Sequence, residues 1–316
     1  MAKNCIVMPL FNDWESATQL VEKINSVVAD WDCEIDILIV NDGSQNVMPD
    51  TSRLKENCLN IHQILVLELY RNQGHQRAIA TGLVYAQKQN CFDTIFVMDS
   101  DGEDRPEELR NLYDTGKKYT KKIITAERVS RSEGSFFRFC YVCYKLLFYF
   151  LTGTAVRFGN FCAIPANQLE KLIHYPQLWN NLTGGIIKSG LPRKAIPSHR
   201  GLRYRGPSKM NFIALILHGL SITSVYLDVI LIRLITITLV LFFLGAICIF
   251  ILLSFTLFEG VKAWLLVLIG GVCTNFLFFS FVLLLILLTQ LNNRSNQMHI
   301  PANNSHTNIK ALTVIK

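Results

Sequence analysis

Two stretches of this chain, Leu234–Leu257 and Ala263–Leu288, contain no acidic or basic residue and no histidine. The first alone has 24 residues, and at about 1.5 Å of rise per residue a helix of that length crosses the hydrocarbon core of a bilayer. In hydrocarbon every backbone N–H and C=O must be paired, which a helix does within its own segment. Only Phe258–Lys262 separates the two stretches, so the sequence predicts a tight antiparallel hairpin over 234–288. With no ionisable side chain inside, the hairpin reads as an anchor and not as an ion pathway. Arg200, Arg203, Arg205, Lys209 and Arg233 precede it, Arg294 and Lys310 follow it, and the connecting loop carries one Glu and one Lys. The positive-inside rule then puts both termini and the bulk of the chain on the cytoplasmic face of the cell (inner) membrane.

The composition shifts near Leu227. The expected organisation is a soluble domain over 1–210, a juxtamembrane amphipathic segment over 211–233, the hairpin over 234–288 and a polar tail over 289–316. The tail is rich in Asn, Ser and Gln with little apolar periodicity, and is expected to be disordered. The formal net charge is +7. The clearest basic cluster, Arg193–Lys209, lies just upstream of the apolar segments, where anionic lipid headgroups account for it better than nucleic acid does. No secretory signal is expected, because the first apolar run is short and interrupted by Pro9. Nine cysteines are scattered from Cys5 to Cys273 and are expected to be free thiols. Cys140 and Cys143 form a lone C-x-x-C that reads as two cysteines on an apolar helix. Asn181-Leu182-Thr183 matches a glycosylation sequon that a cytoplasmic domain would not present.

The first half alternates short apolar runs with helical patterns. Strands are expected at Cys5–Met8, Ile35–Val40, Ile64–Leu69, Thr94–Met98 and Lys122–Thr125. A helix capped by Asn12 or Asp13 carries Leu20, Ile24, Val27 and Val28 at helical spacing, and Gln76–Lys88 is a second helix. The alternation predicts an α/β, mostly parallel sheet with flanking helices. In such sheets ligands collect at the carboxyl ends of the strands. Ser135–Leu151 is dense in aromatic residues, and two readings stay open for it: a helix lying in the membrane interface or a buried core helix.

Every polar motif falls at a strand end. Asp99-Ser100-Asp101 follows the fourth strand, and residues i and i+2 of an extended chain point the same way. Two such carboxylates suit one hard divalent cation, Mg²⁺ or Mn²⁺, bridging to a diphosphate. A calcium loop of the EF-hand type is excluded, since Asp104 stands where its glycine belongs and Arg110 where its last ligand belongs. Pro9-Leu10-Phe11-Asn12-Asp13 follows the first strand, Asn41-Asp42-Gly43-Ser44 the second, and Arg71-Asn72-Gln73-Gly74-His75 the third. A carboxylate such as Asp42 can accept N–H groups of a nucleobase. Gly74 allows close backbone approach, and Arg71 or His75 can offset phosphate charge.

With these motifs in this order, the chain resembles the inverting family-2 glycosyltransferases of GT-A fold. More narrowly, it is similar to the polyprenyl-phosphate glycosyltransferases, the group of dolichol-phosphate mannose synthase and its bacterial two-span relatives. The resemblance covers about residues 4–290 and rests on Val7–Asn12, Asp42–Ser44, Arg71–Gly74 and Asp99–Glu107. It rests also on a later basic motif, Arg200, Arg203, Gly206, Ser208 and Lys209, just before the hairpin. The resemblance implies transfer of one sugar from a nucleoside diphosphate, UDP favoured over GDP, to a polyprenyl phosphate. It implies a nucleotide site of Pro9, Phe11, Asn12, Asp13, Asp42, Arg71, Asn72, Gly74, His75 and Ser100. A catalytic set of Asp99, Asp101, Asn160 and Arg128 and a metal set of Asp99, Asp101 and Glu103 go with it. Arg131, Arg200, Arg203, Ser208 and Lys209 are expected at the acceptor phosphate. The implied partners are the donor, the polyprenyl phosphate and membrane lipid, with no nucleic acid and with a homo-oligomer left open.

Three positions depart from the family pattern. Glu103 stands where a Gln is usual. His75 stands where many relatives carry a basic residue nearby, which makes a phosphate contact there depend on protonation. Asn160, in Gly159-Asn160-Phe161-Cys162, stands where an acid is usual, and an amide cannot act as a base. An ionised phosphate acceptor needs none, so alignment and stabilisation of the leaving diphosphate would carry the chemistry. The alternatives are a different glycolipid or glycan acceptor, or a catalytically silent nucleotide-sugar-binding scaffold. A processive synthase lacks support in two spans and no Gln-x-x-Arg-Trp motif, and a nucleotidyltransferase lacks its Gly-rich start.

Overall fold

The structure is a computed structural model that describes residues 2–128, 135–155, 158–205, 221–259, 263–298 and 300–316. Arg131, Ser208, Lys209 and residues 211–220 of the expected juxtamembrane segment lie outside these residues. The chain forms two compact units. The first comprises Met1–Lys145, Ala155–Val225 and His299–Lys316, and the second Leu146–Thr154 and Tyr226–Met298.

In the first unit the strands are β1 (Ala2–Leu10), β2 (Cys33–Asn41), β3 (Gln63–Leu69), β4 (Thr94–Val97), β5 (Ile123–Arg128), β6 (Phe158–Pro165), β7 (Arg193–Ser198) and β8 (Ile309–Val314). They form one sheet in the order β7-β5-β6-β4-β1-β2-β3-β8. β1 pairs in parallel with β2 and β4, β2 with β3, and β5 with β7. β6 runs antiparallel between β4 and β5, and β8 antiparallel along β3. The sheet is therefore mixed and mostly parallel, as expected, and the five anticipated strands are present with slightly different ends.

The central strands are buried on both faces, which is why they read as unbroken apolar runs and not as alternation. Ile6, Met8, Ile35 and Ile37 face a helix α1 (Trp14–Val27), which turns Ala17, Leu20, Val21 and Ile24 inward at helical spacing. Cys5, Val7, Leu38 and Val40 face the other way, onto Ala78, Ile79, Leu83 and Val84 of α3 (His75–Gln89). A short α2 (Ser52–Asn57) lies between these two helices in sequence. Two cores thus sandwich the sheet. Asp36 is the buried exception in β2, neutralised by Lys3 Nζ at 2.9 Å and His62 Nδ1 at 2.8 Å. The helices α4 (Glu108–Lys118), α6 (Ala166–Leu172), α7 (Gln177–Asn180) and α8 (Leu182–Lys188) complete the layers. Asn181, the sequon residue, is buried and caps α8 by accepting from Gly184 N–H at 2.8 Å.

The tail corrects an expectation. A short α11 (Pro301–Asn304) and a 3₁₀ turn (Ser305–Asn308) lead into β8. β8 then pairs residue by residue with β3 from Leu65↔Val314 to Leu69↔Ile309. Ile315 is 3% exposed in the core, and Lys316 Nζ donates to the carbonyls of Cys58 and Ile61. The physical reason is main-chain bonding. The outer edge of β3 would otherwise present unpaired N–H and C=O groups, and a six-residue edge strand supplies them without a strong apolar pattern.

In the second unit, α9 (Leu227–Glu259) and α10 (Ala263–Met298) contain the two apolar stretches and extend beyond them. Leu227–Ile251 and Leu268–Thr289 have mean hydropathies of 2.9 and 2.4. A Cβ on Gly271 would lie 2.5 Å from Ile249, and one on Gly245 3.9 Å from Asn275. The two contacts advance along one helix while retreating along the other, so the helices are antiparallel. Phe243, Phe250, Phe276 and Leu277 are exposed, as suits side chains that face lipid and not a soluble core. α5 (Ser135–Thr152) sends its last turns into this unit. There Phe148 packs edge-on against Tyr226 at 5.6 Å, and Arg233 donates to the Phe150 carbonyl at 2.5 Å. Leu146, Leu147, Tyr149 and Phe150 remain exposed, so this end of α5 is not a buried core helix.

Candidate active site

The carboxyl ends of β1 to β4 place four loops side by side, and tight backbone contacts fix them. Asn12, at φ 55°, donates its N–H to Ser44 Oγ, and its Oδ1 accepts from Gln45 N–H at 2.8 Å. This ties the loop after β1 to the loop after β2. Asp42 is 2% exposed. Its two oxygens accept from Gln73 N–H at 2.6 Å and Gly74 N–H at 2.9 Å, tying the loop after β2 to that after β3. Gly43 (φ +67°) is required between them, because a Cβ would lie 2.6 Å from the Arg71–Asn72 backbone. Burial raises the Asp42 pKa, and the two N–H groups and His75 work against that rise. Asn12 and Asp42 thus hold the nucleotide-side loops together with the atoms expected to touch the nucleotide. Pro9 lies within β1 opposite Val40, whereas Phe11, Arg71 and Asn72 are exposed.

The acidic loop is the electrostatic centre. Asp99 Oδ1 is buried without a hydrogen bond of full geometry, and its ion-pair partner is His75 Nε2 at 3.1 Å. Asn160 Nδ2 lies 3.0 Å from the same His75 nitrogen. Its Oδ1 accepts from Gln76 Nε2 at 3.1 Å, and Gln76 Oε1 accepts from Leu182 N–H at 2.8 Å. Desolvation opposes the Asp99 charge, but His75, with Arg128 and the Asn160 amide, overrides it and holds the carboxyl at about 2. Asn160 therefore acts here as an oriented donor beside Asp99. Ser100 is buried.

Asp104, unassigned by its sequence position, is 5% exposed; its Oδ2 accepts from Asp99 N–H at 2.9 Å and its Oδ1 lies 3.7 Å from Arg128. Burial and the nearby Asp99 charge push its pKa up to about 7. Gln76, which orients Asn160, was also missed; the available signal was its place next to His75 at the start of a helix. Asp101 is raised too, by burial and then by Asp99.

The expected acceptor arginines enter this same centre. Arg200 is paired with Glu103, and Arg203 reaches Asp13 Oδ2 at 2.5 Å and Asp101 Oδ2 at 3.4 Å. Among the described residues no group of three His, Cys, Asp or Glu side chains converges to hold an ion. Glu103 faces Arg200, so the expected three-carboxylate set is not assembled. Asp99 and Asp101 alone still fit a hard cation that takes one or two carboxylates and completes its shell with substrate phosphates and water. Asp99 Oδ1, buried and met by His75 in an ion pair without a hydrogen bond of full geometry, is the atom that such an ion would engage.

Among the raised groups, Asp104 and His75 predict a pH dependence of stability. Asp104 is destabilised as a carboxylate, so folding loses stability as pH rises from its ordinary 3.8 toward about 7. His75 is desolvated, yet Asp99 raises its pKa above the ordinary 6.5, and its contribution is lost as pH rises through the raised value. Asp99 at about 2 keeps its contribution throughout this range. Without added metal, the apparent melting temperature in detergent should fall by about 3 °C or more between pH 5 and pH 8. Asp104→Asn should flatten the lower half of that slope and His75→Gln the upper half. A profile unchanged in both variants would refute the assignment.

The fold is a mixed, mostly parallel α/β sheet with an acidic loop and an opposing basic loop at its strand ends. The chain belongs to Glycosyl transferase family 2, which matches residues 5–169. It is 29% identical over 133 residues to the glycosyltransferase YkcC of Bacillus subtilis (strain 168), covering 42% of this chain and 39% of that protein. It is 28% identical over 138 residues to the undecaprenyl-phosphate 4-deoxy-4-formamido-L-arabinose transferase of Proteus mirabilis (strain HI4320), covering 43% of this chain and 40% of that one. The chain thus matches about two fifths of the length of these relatives. Among solved structures, the fold is like that of glucosyl-3-phosphoglycerate synthase from Mycobacterium tuberculosis, in complex with Mn²⁺, UDP-glucose and phosphoglyceric acid. The TM-score is 0.50 at 14% identity, covering 72% of this chain and 80% of that one.

Proposed function

We propose that this chain is an inverting glycosyltransferase that moves one sugar from a nucleoside-diphosphate sugar, UDP in preference to GDP, to a polyprenyl phosphate at the cytoplasmic membrane face. The observation that carries the reading is Arg203 seated between Asp13 and Asp101, in the basic stretch that precedes in sequence the apolar helix starting at Leu227. Arg200 and Arg203 of that stretch set fixed positive charge against the carboxylates Glu103, Asp13 and Asp101. An anionic lipid head is the acceptor that such charge recognises.

The sequence motifs, with the contacts of the described residues, support the following roles. Asp99 and Asp101 would hold Mg²⁺ or Mn²⁺, which when bound offsets the charge of the departing diphosphate. The undecaprenyl-phosphate transferase of Proteus and the Mn²⁺ and UDP-glucose of the mycobacterial synthase support this reading by analogy. Asp42 and Asn12 keep the nucleotide loops in register, and Arg71 and Asn72 are exposed in the loop after β3. His75 and Asn160 fix Asp99. Arg128, Arg131, Arg200, Arg203, Ser208 and Lys209 serve the acceptor phosphate and the leaving group. Asn160 cannot take a proton from a hydroxyl, whereas a phosphate monoester arrives ionised, which favours the phosphate over a glycan acceptor.

Connectivity supports the proposed membrane placement. The residues before the hairpin, through Val225, and those after it, from His299, belong to the same unit and share one sheet through β8. This is consistent with a hairpin whose two ends lie on one side of the membrane, and the flanking arginines and lysines favour the cytoplasmic side. The exposed Leu146, Leu147, Tyr149 and Phe150 sit in the unit of the apolar helices, and we assign them to the membrane interface.

The test is to incubate membranes containing the chain with labelled nucleotide-sugars and polyprenyl phosphate. A lipid-linked sugar released by mild acid is the expected product. Label that passes only into a glycan would overturn the acceptor, and no transfer from any donor would leave the silent scaffold.

A further inference from the structure

The side chain of Arg203 is 18% exposed, and all three of its nitrogens are engaged: Nη2 with Asp13, Nη1 with Asp101 and Nε with the Arg205 carbonyl at 3.1 Å. Its backbone surroundings are equally fixed. Tyr204 N–H donates to the Asp101 carbonyl at 3.0 Å, and Gly201 N–H to the Glu103 carbonyl at 2.8 Å. The Tyr204 ring lies flush on Gly102 (φ +88°), where a Cβ would come within 2.6 Å of it. The basic loop is thus clamped to the acidic loop by main-chain bonds, and one guanidinium fills the position opposite Asp101. The contact with Asp13 is the shorter of its two ion pairs.

We infer that Arg203 is a built-in counter-ion of Asp101, which a divalent cation must displace in order to bind. This rests on the cation part of the proposed function. A divalent ion at Asp101 meets a fixed positive charge a few ångströms away, so Arg203 weakens binding of the bare ion. A nucleoside diphosphate reverses the sign of that effect, because its oxygens attract both the ion and the guanidinium. Asp13 keeps Arg203 at the site while its bond to Asp101 is broken. Cation and nucleotide binding are therefore coupled through one side chain, each tightening the other. A free cation occupies the site poorly, and the loaded donor occupies it well.

The experiment measures Mn²⁺ binding to the detergent-purified full chain by electron paramagnetic resonance of the free ion, with and without UDP. Arg203→Ala is expected to bind Mn²⁺ alone about tenfold more tightly than the parent chain, and to gain less from UDP. Arg203→Lys, which keeps the charge, should stay within about threefold of the parent. Equal or weaker Mn²⁺ binding by Arg203→Ala overturns the inference, and so does tightening of equal size in Arg203→Lys. Failure of both the parent and Arg203→Ala to bind Mn²⁺, even with UDP, would remove the cation reading of the acidic loop and this inference with it. Binding by the parent without tightening in the variant removes the inference alone.

Discussion

Asp101→Ala is expected to lower sugar transfer by about a thousandfold or more while leaving the protein in the membrane fraction. Asp101 is placed by the end of β4, its Oδ1 accepts from Glu103 N–H at 3.0 Å, and its Oδ2 faces Arg203. Alanine removes the carboxylate that would share the cation and releases Arg203 onto Asp13 alone. On the proposed reaction, the leaving diphosphate would then lack its principal counter-charge. About a thousandfold corresponds to about 4 kcal/mol of transition-state stabilisation, within the range for one preorganised electrostatic group. Asp99→Ala should be as severe for a second reason: His75 and Asn160 lose the group on which they converge. Initial rates in membranes, with flotation to check insertion, decide the matter. Turnover that survives either substitution would remove the acidic loop from the reaction.

Deleting residues 309–316 is expected to destabilise the first unit by about 3–6 kcal/mol, from one buried aliphatic side chain and a handful of net main-chain hydrogen bonds. Ile315→Ala should account for about 2–4 kcal/mol of that alone, since Ile315 is 3% exposed among the side chains of α1 and β2. The deletion also strips β3 of its outer partner, and β3 ends at the Arg71–His75 loop that Asp42 grips. Loss of nucleotide affinity should therefore accompany loss of stability. Lys310, 3.7 Å from Glu68 and exposed, should matter little. Thermal melts and limited proteolysis in detergent measure the first effect, and UDP binding the second. A truncated chain with unchanged melting would show that β8 is dispensable to the sheet.

Sequence and structure divide the credit unevenly. Asp104 was visible as a residue but not as a part of the site. Its role comes from an N–H five residues away and from Arg128 at the end of another strand. Gln76 acts on Asn160, which lies 84 positions further along. The basic motif was legible as charge near a membrane, yet its Arg203 finds Asp13 across 190 residues of chain. The Asn160 substitution was legible, and only its contacts show that it donates beside Asp99. The tail was misread because β8 is held by backbone pairing on an edge, which leaves no apolar alternation to read.

By itself the sequence determined the hairpin, because a bilayer demands long uncharged runs, and it determined the central strands and their terminal motifs, because fully buried strands are apolar and end in Gly, Asp and Asn. Only the tertiary structure decided which charges meet. Pairings such as Arg203 with Asp13 and Asp101, Arg200 with Glu103, or β8 with β3 depend on where the sheet brings distant segments. The energy of a charge depends on a neighbour's distance in space, and linear order does not carry that distance.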